Sequence, residues 1–303
     1  MITPELFEIS ESDGWKTHLD KEGFVVIKNI LSAEEMETSF QQFKTDWNHV
    51  SPNFNFEDKS TWIIDNSPLM FGKGMVVFNG FGQSDFMWGL RTNSNIQNIY
   101  EKVYNVDKDE LCVSFDGFSL FLTNKQKSQP WLHIDQNPKN NIYSIQGAYN
   151  FKPVGKQDAG FIVVPGSHLK YRPKVEHNRD WIQCGKESIY NKLSKKLAIP
   201  ENCYTLWNSR LIHANQGMTK KTTELNRLTC YITFLPKKNR TEKILEKRIE
   251  AYKNSKTTSH WGNKCELKTY PYGFKTRYES RGFGAISSLL IDNEIPENRL
   301  KLF

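Results

Sequence analysis

The feature that most constrains this fold is a series of short strand-like runs between Leu111 and Leu235. The first run, Leu111 to Thr123, alternates polar and apolar residues, as a strand does when one face lies in a core. Turns rich in glycine and proline, such as Pro165-Gly166-Ser167-His168, separate it from runs at 145–151, 160–164, 204–207, 211–213 and 228–235. Many short strands with such turns favour a closed or double-sheet β fold. We therefore predict a mainly β protein with flanking helices, of class α+β.

Helical and irregular segments flank these runs. Gly23 to Lys28 predicts a buried strand, Ser32 caps a helix that reaches about Trp47, and Ser84 to Tyr104 has helical spacing. Residues 169–202 predict a charged, partly helical surface insertion, and residues 240–253 predict a charged helix. We expect one domain over residues 1–303. Its β core lies at about 105–236, with an N-terminal strand and helices at 1–104 and a helical and irregular extension at 237–303.

The charge and the cysteine content narrow the class of protein. The 303 residues have a formal net charge of +7, but the lysines occur in short, scattered clusters. That pattern is typical of a solvated surface, with binding to an acidic partner or a nucleic acid as the alternative. Five dispersed cysteines lack zinc-like spacing and suit a reducing compartment. With no secretory signal and no apolar run of membrane length, we expect a soluble, cytoplasmic protein without a membrane partner.

The residues that carry chemistry begin with His133 and Asp135. A histidine and a carboxylate two positions apart on a strand project to the same side, which makes them a chelating pair. A lone His-x-Asp triplet also occurs by chance, so a third ligand from another strand is needed. His213 ends an apolar run, and Arg227 begins the next one. Two histidines, one carboxylate and an arginine are the parts of a non-haem Fe(II) site with open coordination positions.

Several motifs together resemble the phytanoyl-CoA dioxygenase family. They are Gly23 to Ile27, His133-Ile134-Asp135, the run from Gly160 to His168, and the run from Trp207 to His213 followed by Arg227. The motifs occur in the family's order and cover roughly residues 20–236. The resemblance implies a double-stranded β-helix, also called a jelly roll or cupin-type fold, that binds Fe(II) and 2-oxoglutarate.

The resemblance also implies roles for individual residues. His133, Asp135 and His213 match the iron ligands, and Arg227 matches the arginine that binds the far carboxylate of 2-oxoglutarate; a surface ion pair is the alternative for Arg227. A planar guanidinium binds a carboxylate through two parallel hydrogen bonds. The histidine at 168, in the Pro-Gly-Ser-His turn, is not a ligand in the family and is expected to be structural.

Other candidates for the pocket rest on weaker grounds. The family often has a hydroxyl residue two positions after the distal histidine, whereas this chain has Asn215, whose amide can still donate a hydrogen bond. Gln146, Asp116 and Trp131 could also line the pocket. A strand-end hydrogen bond is the alternative for Asp116, and a core ring is the alternative for Trp131. Arg91, Asn93 and the segment Thr258-Ser259-His260-Trp261 lie outside the motifs that match the family and could cap the substrate side.

The function implied is that of a dioxygenase that uses Fe(II), 2-oxoglutarate and O2 to hydroxylate a carbon, releasing succinate and CO2. One alternative is a family member that has lost catalysis and acts as a binding or scaffold protein. Another is an oxygenase that acts on nucleic acid or protein. The sequence identifies neither the substrate nor the oligomeric state, because a fold does not determine a function.

Overall fold

The structure is a computed structural model that describes residues 1–70, 74–122, 131–185, 187–222, 224–269 and 294–303. The chain forms two compact units. The first comprises Met1–Ile30 and Phe121–Thr229, and the second comprises Leu31–Leu120 and Cys230–Phe303. The single domain expected from the sequence stays a prediction.

The strands and helices have the following bounds. The strands are β1 Leu6–Phe7, β2 Phe24–Ile27, β3 Met75–Val76, β4 Leu111–Val113, β5 Phe118–Phe121, β6 His133–Ile134, β7 Ile145–Asn150, β8 Gly160–Val163, β9 Ile182–Gln183, β10 Lys195–Lys196, β11 Cys203–Asn208, β12 His213–Gln216, β13 Arg227–Tyr231 and β14 Phe234–Pro236. The helices are α1 Ser12–Glu22, α2 Ala33–Val50, α3 Asp85–Arg91, α4 Ser94–Tyr104, α5 Ser167–Lys170, α6 Tyr190–Leu193, α7 Glu242–Lys253 and α8 Glu297–Leu300.

Two sheets build the first unit. The larger one has the order β1-β2-β11-β7, followed by the first residues of β13. Strands β1 and β2 are parallel, whereas β11 is antiparallel to both β2 and β7. The smaller one has the order β10-β8-β12-β6-β9 and is antiparallel throughout. Rings from both sheets meet between them: Trp207 of β11 lies 4.8 Å from Phe161 and 5.6 Å from His213. This two-sheet arrangement confirms the predicted jelly-roll core.

The N-terminal residues complete the larger sheet, because β2 pairs with β11 along its whole length. Gly23, between α1 and β2, adopts a φ of +82° that favours glycine. A Cβ there would lie 2.4 Å from Nδ1 of His168 and 2.7 Å from Leu211. The Gly23 motif and the Pro-Gly-Ser-His motif therefore pack directly against each other.

The second unit is built mainly from helices with two short strand pairs. The hydroxyl of Ser32 and the carboxylate of Glu35 form a capping box at the start of α2, as the predicted serine cap requires. Strand β3 pairs with β5, and β4 pairs with β14. Among the described residues, no helix is both long and apolar enough to cross a bilayer.

Three predicted elements differ from the structure. The stretch with helical spacing from Ser84 to Tyr104 is divided into two helices: α3 ends at Arg91, and Asn93 caps α4 by accepting hydrogen bonds from two backbone amides. The run from Leu111 forms two strands, β4 and β5, with residues 114–117 between them; Thr123 lies outside the described residues. The insertion at 169–202 supplies β9 and β10, which form the two edges of the smaller sheet.

Candidate metal centre

Three side chains predicted to bind a metal come together on the inner face of the smaller sheet. His133 begins β6, His213 begins β12, and the two are directly paired in register. Asp135 follows β6, and its carboxylate oxygens lie 3.5 Å from Nε2 of His133 and 3.2 Å from Nε2 of His213. One ligand atom from each residue lies within 4.8 Å of the other two. Both imidazoles are buried, and the Asp135 side chain is only 14% exposed.

The protonation of both imidazoles follows from their backbone contacts. Nδ1 of His133 lies 2.9 Å from the carbonyl oxygen of Trp131, and Nδ1 of His213 lies 2.9 Å from that of Leu211. A carbonyl oxygen only accepts hydrogen bonds, so both Nδ1 atoms must carry hydrogen and donate. In the neutral rings, the lone pairs are then on the Nε2 atoms, which point towards Asp135.

A bound cation would relieve the repulsion that this arrangement creates. Two nitrogen lone pairs and an anionic carboxylate face one another at hydrogen-bond distances in a buried site, with the donor hydrogens turned away. Two imidazoles and one carboxylate are also the ligand set of the facial triad that binds Fe(II) and leaves positions open for other ligands. The residues present therefore fit the iron that the sequence predicted.

Both the side chain and the backbone of Asp135 are held by hydrogen bonds. The amide of Gln146, on β7, donates from Nε2 to Oδ2 of Asp135 at 3.1 Å. The backbone amide of Asp135 donates to the carbonyl oxygen of Ser209 at 2.9 Å, and Ser209 in turn bonds to Ser144 through both backbone and hydroxyl. Gln146 therefore contacts a metal ligand directly, which is a more specific position than the pocket wall that the sequence suggested.

Arg227 begins β13 and is 3% exposed. Its Nε donates to the hydroxyl of Thr229 at 3.0 Å, and Thr229 donates to the side chain of Asn150. Lys196 is a second buried cation in this region. Burial lowers the pKa of Lys196, and the nearby charge of Arg227 lowers this pKa further, while Asp158 opposes both effects. Buried positive charge of this kind favours binding of a carboxylate.

Asn215 lies on the same face of β12 as His213, because side chains on a strand alternate with a period of two. Its backbone carbonyl accepts a hydrogen bond from Nε1 of Trp131 at 2.7 Å. The indole of Trp131 stacks on the ring of His133, with 4.5 Å between centroids and 20° between planes. Trp131 thus supports a ligand ring, and the expected contact of Asn215 with 2-oxoglutarate stays a prediction.

His168 has a structural environment. Its Nε2 donates to the carbonyl oxygen of Asp20 at 2.9 Å and so joins α5 to the end of α1. Burial is the largest influence on its pKa and lowers it. The group of metal-ligating residues found among the described residues contains His133, Asp135 and His213, without His168.

Asp116 lies in the second unit, where it is buried. Its carboxylate accepts the backbone amide of Gly117, and its backbone carbonyl accepts a hydrogen bond from Nη2 of Arg91. Burial raises the pKa of Asp116 and lowers that of Arg91 to about 9. These contacts account for Asp116 as a structural residue, and its proposed place in the pocket stays a prediction.

Structural contacts also surround the residues outside the family motifs that could cap the substrate side. Arg91 donates to the carbonyl oxygens of Gly82 and Asp116, and Asn93 is the cap of α4. Trp261 is 1% exposed, and its ring contacts the ring of His260 at 5.1 Å. Each of these residues stabilises the second unit, which contains none of the three metal ligands.

Sequence reasoning missed two residues that surround the triad. Asn137, in the loop after Asp135, is 2% exposed and its side chain makes three hydrogen bonds. Trp181, just before β9, contacts the ring of His133 at 5.7 Å. Neither lies in a run with clear periodicity, and each acquires its position only when β9 pairs with β6. The sole signal was the Asn-Pro turn that contains Asn137.

Several known proteins resemble this chain at low sequence identity. No family model matches the chain. Ava biosynthesis cluster protein O of Aspergillus versicolor is 25% identical over 270 residues, which cover 81% of this chain and 85% of that protein. A Dictyostelium discoideum protein named "Putative phytanoyl-CoA dioxygenase" is 22% identical over 299 residues, which cover 83% of this chain and 82% of the relative. The crystal structure of the epimerase SnoN with Fe3+, alpha ketoglutarate and nogalamycin RO has a TM-score of 0.52 at 14% identity, covering 75% of this chain and 84% of that one.

The fold is that of the SnoN structure, and His133, Asp135 and His213 form the ligand set of a facial triad. The chain also resembles a protein named as a phytanoyl-CoA dioxygenase, as the sequence motifs predicted.

Proposed function

We propose that this protein oxidises a carbon of a small organic substrate with Fe(II), 2-oxoglutarate and O2. In the balanced reaction, a C–H bond of the substrate becomes C–OH, one oxygen atom of O2 enters the product and the other enters succinate, and CO2 is released. The observation that carries the proposal is the convergence of two imidazoles and one carboxylate, in which backbone hydrogen bonds direct the lone pairs of the two imidazoles inward.

The protein's own residues bind and orient the reactants. The imidazoles of His133 and His213 and the carboxylate of Asp135 would hold the iron, and three protein ligands would leave room for 2-oxoglutarate and O2. Arg227 is proposed to bind the far carboxylate of 2-oxoglutarate through paired hydrogen bonds, supported by the nearby charge of Lys196. The bound iron, together with 2-oxoglutarate, supplies the activation of O2 that side chains cannot perform.

Aromatic rings exclude water from the metal centre. Trp131 packs on His133, while Phe161 and Trp207 lie 5.5 Å and 5.6 Å from the ring of His213. Apolar walls strengthen the electrostatic contacts inside the site and protect reactive species from solvent. The complete ligand set and its buried frame support an enzyme rather than a scaffold protein.

A small molecule is the substrate class that the comparisons favour. One relative is named for a biosynthesis cluster, and the SnoN structure contains a small organic ligand. SnoN is an epimerase, so proteins with this fold also catalyse reactions other than hydroxylation. The net charge of +7 is spread over the chain and favours no nucleic acid in particular. All five cysteines are free thiols, which supports a reducing, cytoplasmic location as part of the proposal.

Formation of succinate tests the proposal. The protein is incubated with Fe(II), 2-oxoglutarate and air, and succinate is quantified by mass spectrometry, alone and with pools of small molecules, peptides and oligonucleotides. We expect Fe(II)-dependent succinate from the wild type, stimulation by a small-molecule pool, and none from Asp135→Ala. Glu201→Ala, which removes an exposed carboxylate of the same unit, serves as the control and keeps wild-type turnover. Wild-type turnover in Asp135→Ala would refute the assignment.

A further inference from the structure

Trp181 differs from the other tryptophans of the chain. All eight lie in described residues, and six of them are at most 7% exposed. Trp131 is partly buried, whereas Trp181 is 48% exposed. Single exposed apolar side chains are common on protein surfaces, so the exposure of Trp181 is informative because its ring also contacts the ring of His133.

The register of β9 determines where the Trp181 side chain points. Ile182 pairs with Ile134, and both side chains belong to the apolar cluster on the outer face of the smaller sheet. Side chains alternate along a strand, so Trp181 points to the inner face, on which His133 lies. The indole is 5.7 Å from the ring of His133, with 36° between the planes. Trp181 thus lies at the solvent-facing edge of the metal centre.

A network of hydrogen bonds centred on Asn137 holds Trp181 in this position. Nδ2 of Asn137 donates to the carbonyl oxygens of His177 and Arg179, and its backbone amide donates to the carboxylate of Asp180. Asn137 follows Asp135 by two residues, and Asp180 immediately precedes Trp181. The loop that follows Asp135 therefore binds the segment that carries the exposed indole, and this positions the backbone next to Trp181.

We propose that Trp181 is a specificity-determining residue that stacks on a planar aromatic ring of the substrate at the entrance to the metal centre. The proposal rests on the proposed oxygenase function and narrows its substrate class to molecules with such a ring. A flat, rigidly held ring offers its face to another flat ring at little cost in conformational entropy. The indole of Trp131, on the same ligand histidine, extends the aromatic surface towards the metal.

Binding of a model ring compound tests the role of Trp181 without turnover. The protein is loaded anaerobically with Mn(II) and 2-oxoglutarate, and 2-naphthol is titrated in while its proton NMR relaxation is measured. Paramagnetic relaxation by Mn(II) reports that the probe lies near the metal. Decahydro-2-naphthol has the same two fused rings and hydroxyl group but no aromatic face, and we expect it to bind more weakly than 2-naphthol.

Substitutions separate stacking from general hydrophobic contact. We expect Trp181→Ala to raise the dissociation constant of 2-naphthol at least about fivefold and Trp181→Phe to change it less than about twofold. Leu169→Ala removes a similarly exposed apolar side chain of the same unit and leaves the constant unchanged. The proposal is overturned if the wild type shows no Mn(II)-dependent relaxation of 2-naphthol, or if Trp181→Ala binds it as the wild type does.

The same samples distinguish failure of this proposal from failure of the proposed function. Mn(II) that binds the wild type but not His133→Ala upholds the metal centre, whatever the behaviour of the probe. If Mn(II) does not bind, or binds His133→Ala equally well, the oxygenase function fails and the role of Trp181 fails with it.

Discussion

Gln146 donates a hydrogen bond of 3.1 Å to Oδ2 of Asp135, the oxygen that also lies 3.2 Å from Nε2 of His213. The amide therefore fixes the rotation of the carboxylate so that this oxygen faces the second imidazole. Residues that orient metal ligands in this way typically contribute about 10- to 100-fold to metal affinity.

Gln146→Leu removes the donor and keeps the approximate volume of the side chain. We expect metal affinity to fall by about 10- to 100-fold, with little change in the fold, because the ligands stay in place while the carboxylate rotates freely. Isothermal titration with Mn(II) measures the change, and Gln157→Leu, at an exposed position of the same unit, is the control. An unchanged Mn(II) affinity in Gln146→Leu would show that the hydrogen bond has no orienting role.

Metal binding should stabilise the folded protein through the triad. A ligand at 100 times its dissociation constant stabilises the state that binds it by about 2.7 kcal/mol. We expect Mn(II) to raise the thermal unfolding temperature of the wild type and to have no such effect on His213→Ala or Asp135→Ala. Differential scanning calorimetry with and without Mn(II) measures the unfolding temperature of each protein. An equal rise in the variants would place the metal elsewhere on the protein.

Arg227 should determine the affinity for 2-oxoglutarate. Arg227→Leu leaves a buried carboxylate of the co-substrate without its partner, which costs about 2–5 kcal/mol, or at least about 30-fold in affinity. Arg227→Lys keeps the charge but loses the paired geometry, so we expect an intermediate loss. Calorimetric titration of Mn(II)-loaded protein with 2-oxoglutarate measures both constants. The control is Arg210→Leu, which removes another guanidinium of the same unit. If Arg210→Leu weakened the binding of 2-oxoglutarate as much as Arg227→Leu, the role assigned to Arg227 would be contradicted.

Asn137 should contribute strongly to stability. It is 2% exposed, and its side chain donates two hydrogen bonds to backbone carbonyls and accepts one from the amide of Lys139. Truncation to alanine leaves these backbone groups without partners, and we expect a loss of about 2–3 kcal/mol in the free energy of unfolding. Urea denaturation measures it against Asn191→Ala, a partly exposed control expected to lose less than about 1 kcal/mol. Equal losses would mean that Asn137 does not hold the loop.

Stability should decrease in mild acid because of His168. Burial lowers its pKa from the ordinary value of 6.5, against the opposing effects of Asp20 and Glu22 and with a smaller contribution from Arg172. The unfolded chain then takes up a proton at a higher pH than the folded protein does. The contribution of His168 is thus complete above pH 6.5 and is lost as the pH falls from there towards the folded pKa.

Urea unfolding between about pH 8 and about pH 5 tests this dependence. The wild type should lose stability more steeply than His168→Gln below about pH 6.5, since glutamine has no proton to gain there. Parallel pH profiles for the two proteins would contradict the prediction.

The sequence predicted the grouping of His133, Asp135 and His213 better than it predicted their surroundings. His133 and Asp135 could be identified because a strand places alternate residues on one face, and His213 because the family motifs occur in order. The break in the helical stretch from Ser84 to Tyr104 was not predicted, because the capping ability of Asn93 outweighs a continuous apolar spacing. The strand β9 has only two residues, too few for periodicity to reveal.

Long-range pairing explains the other residues that were missed. Gln146 was found, but its contact with Asp135 depends on how β7 lies beside the loop after β6. Trp181 and Asn137 acquire their roles only through hydrogen bonds between segments about 40 residues apart in the chain. No local pattern in a sequence records such a pairing, whereas the residues that bind the metal carry their chemistry in their type and spacing.

The central claim is that His133, Asp135 and His213 bind Fe(II) together with 2-oxoglutarate held by Arg227. Anaerobic titration of Fe(II) into protein with excess 2-oxoglutarate tests it most directly, by the visible charge-transfer absorption of iron bound to a 2-oxo acid. We predict that the absorption saturates at one iron per chain in the wild type and does not develop in His213→Ala. No absorption in the wild type, or an equal absorption in His213→Ala, would contradict the account.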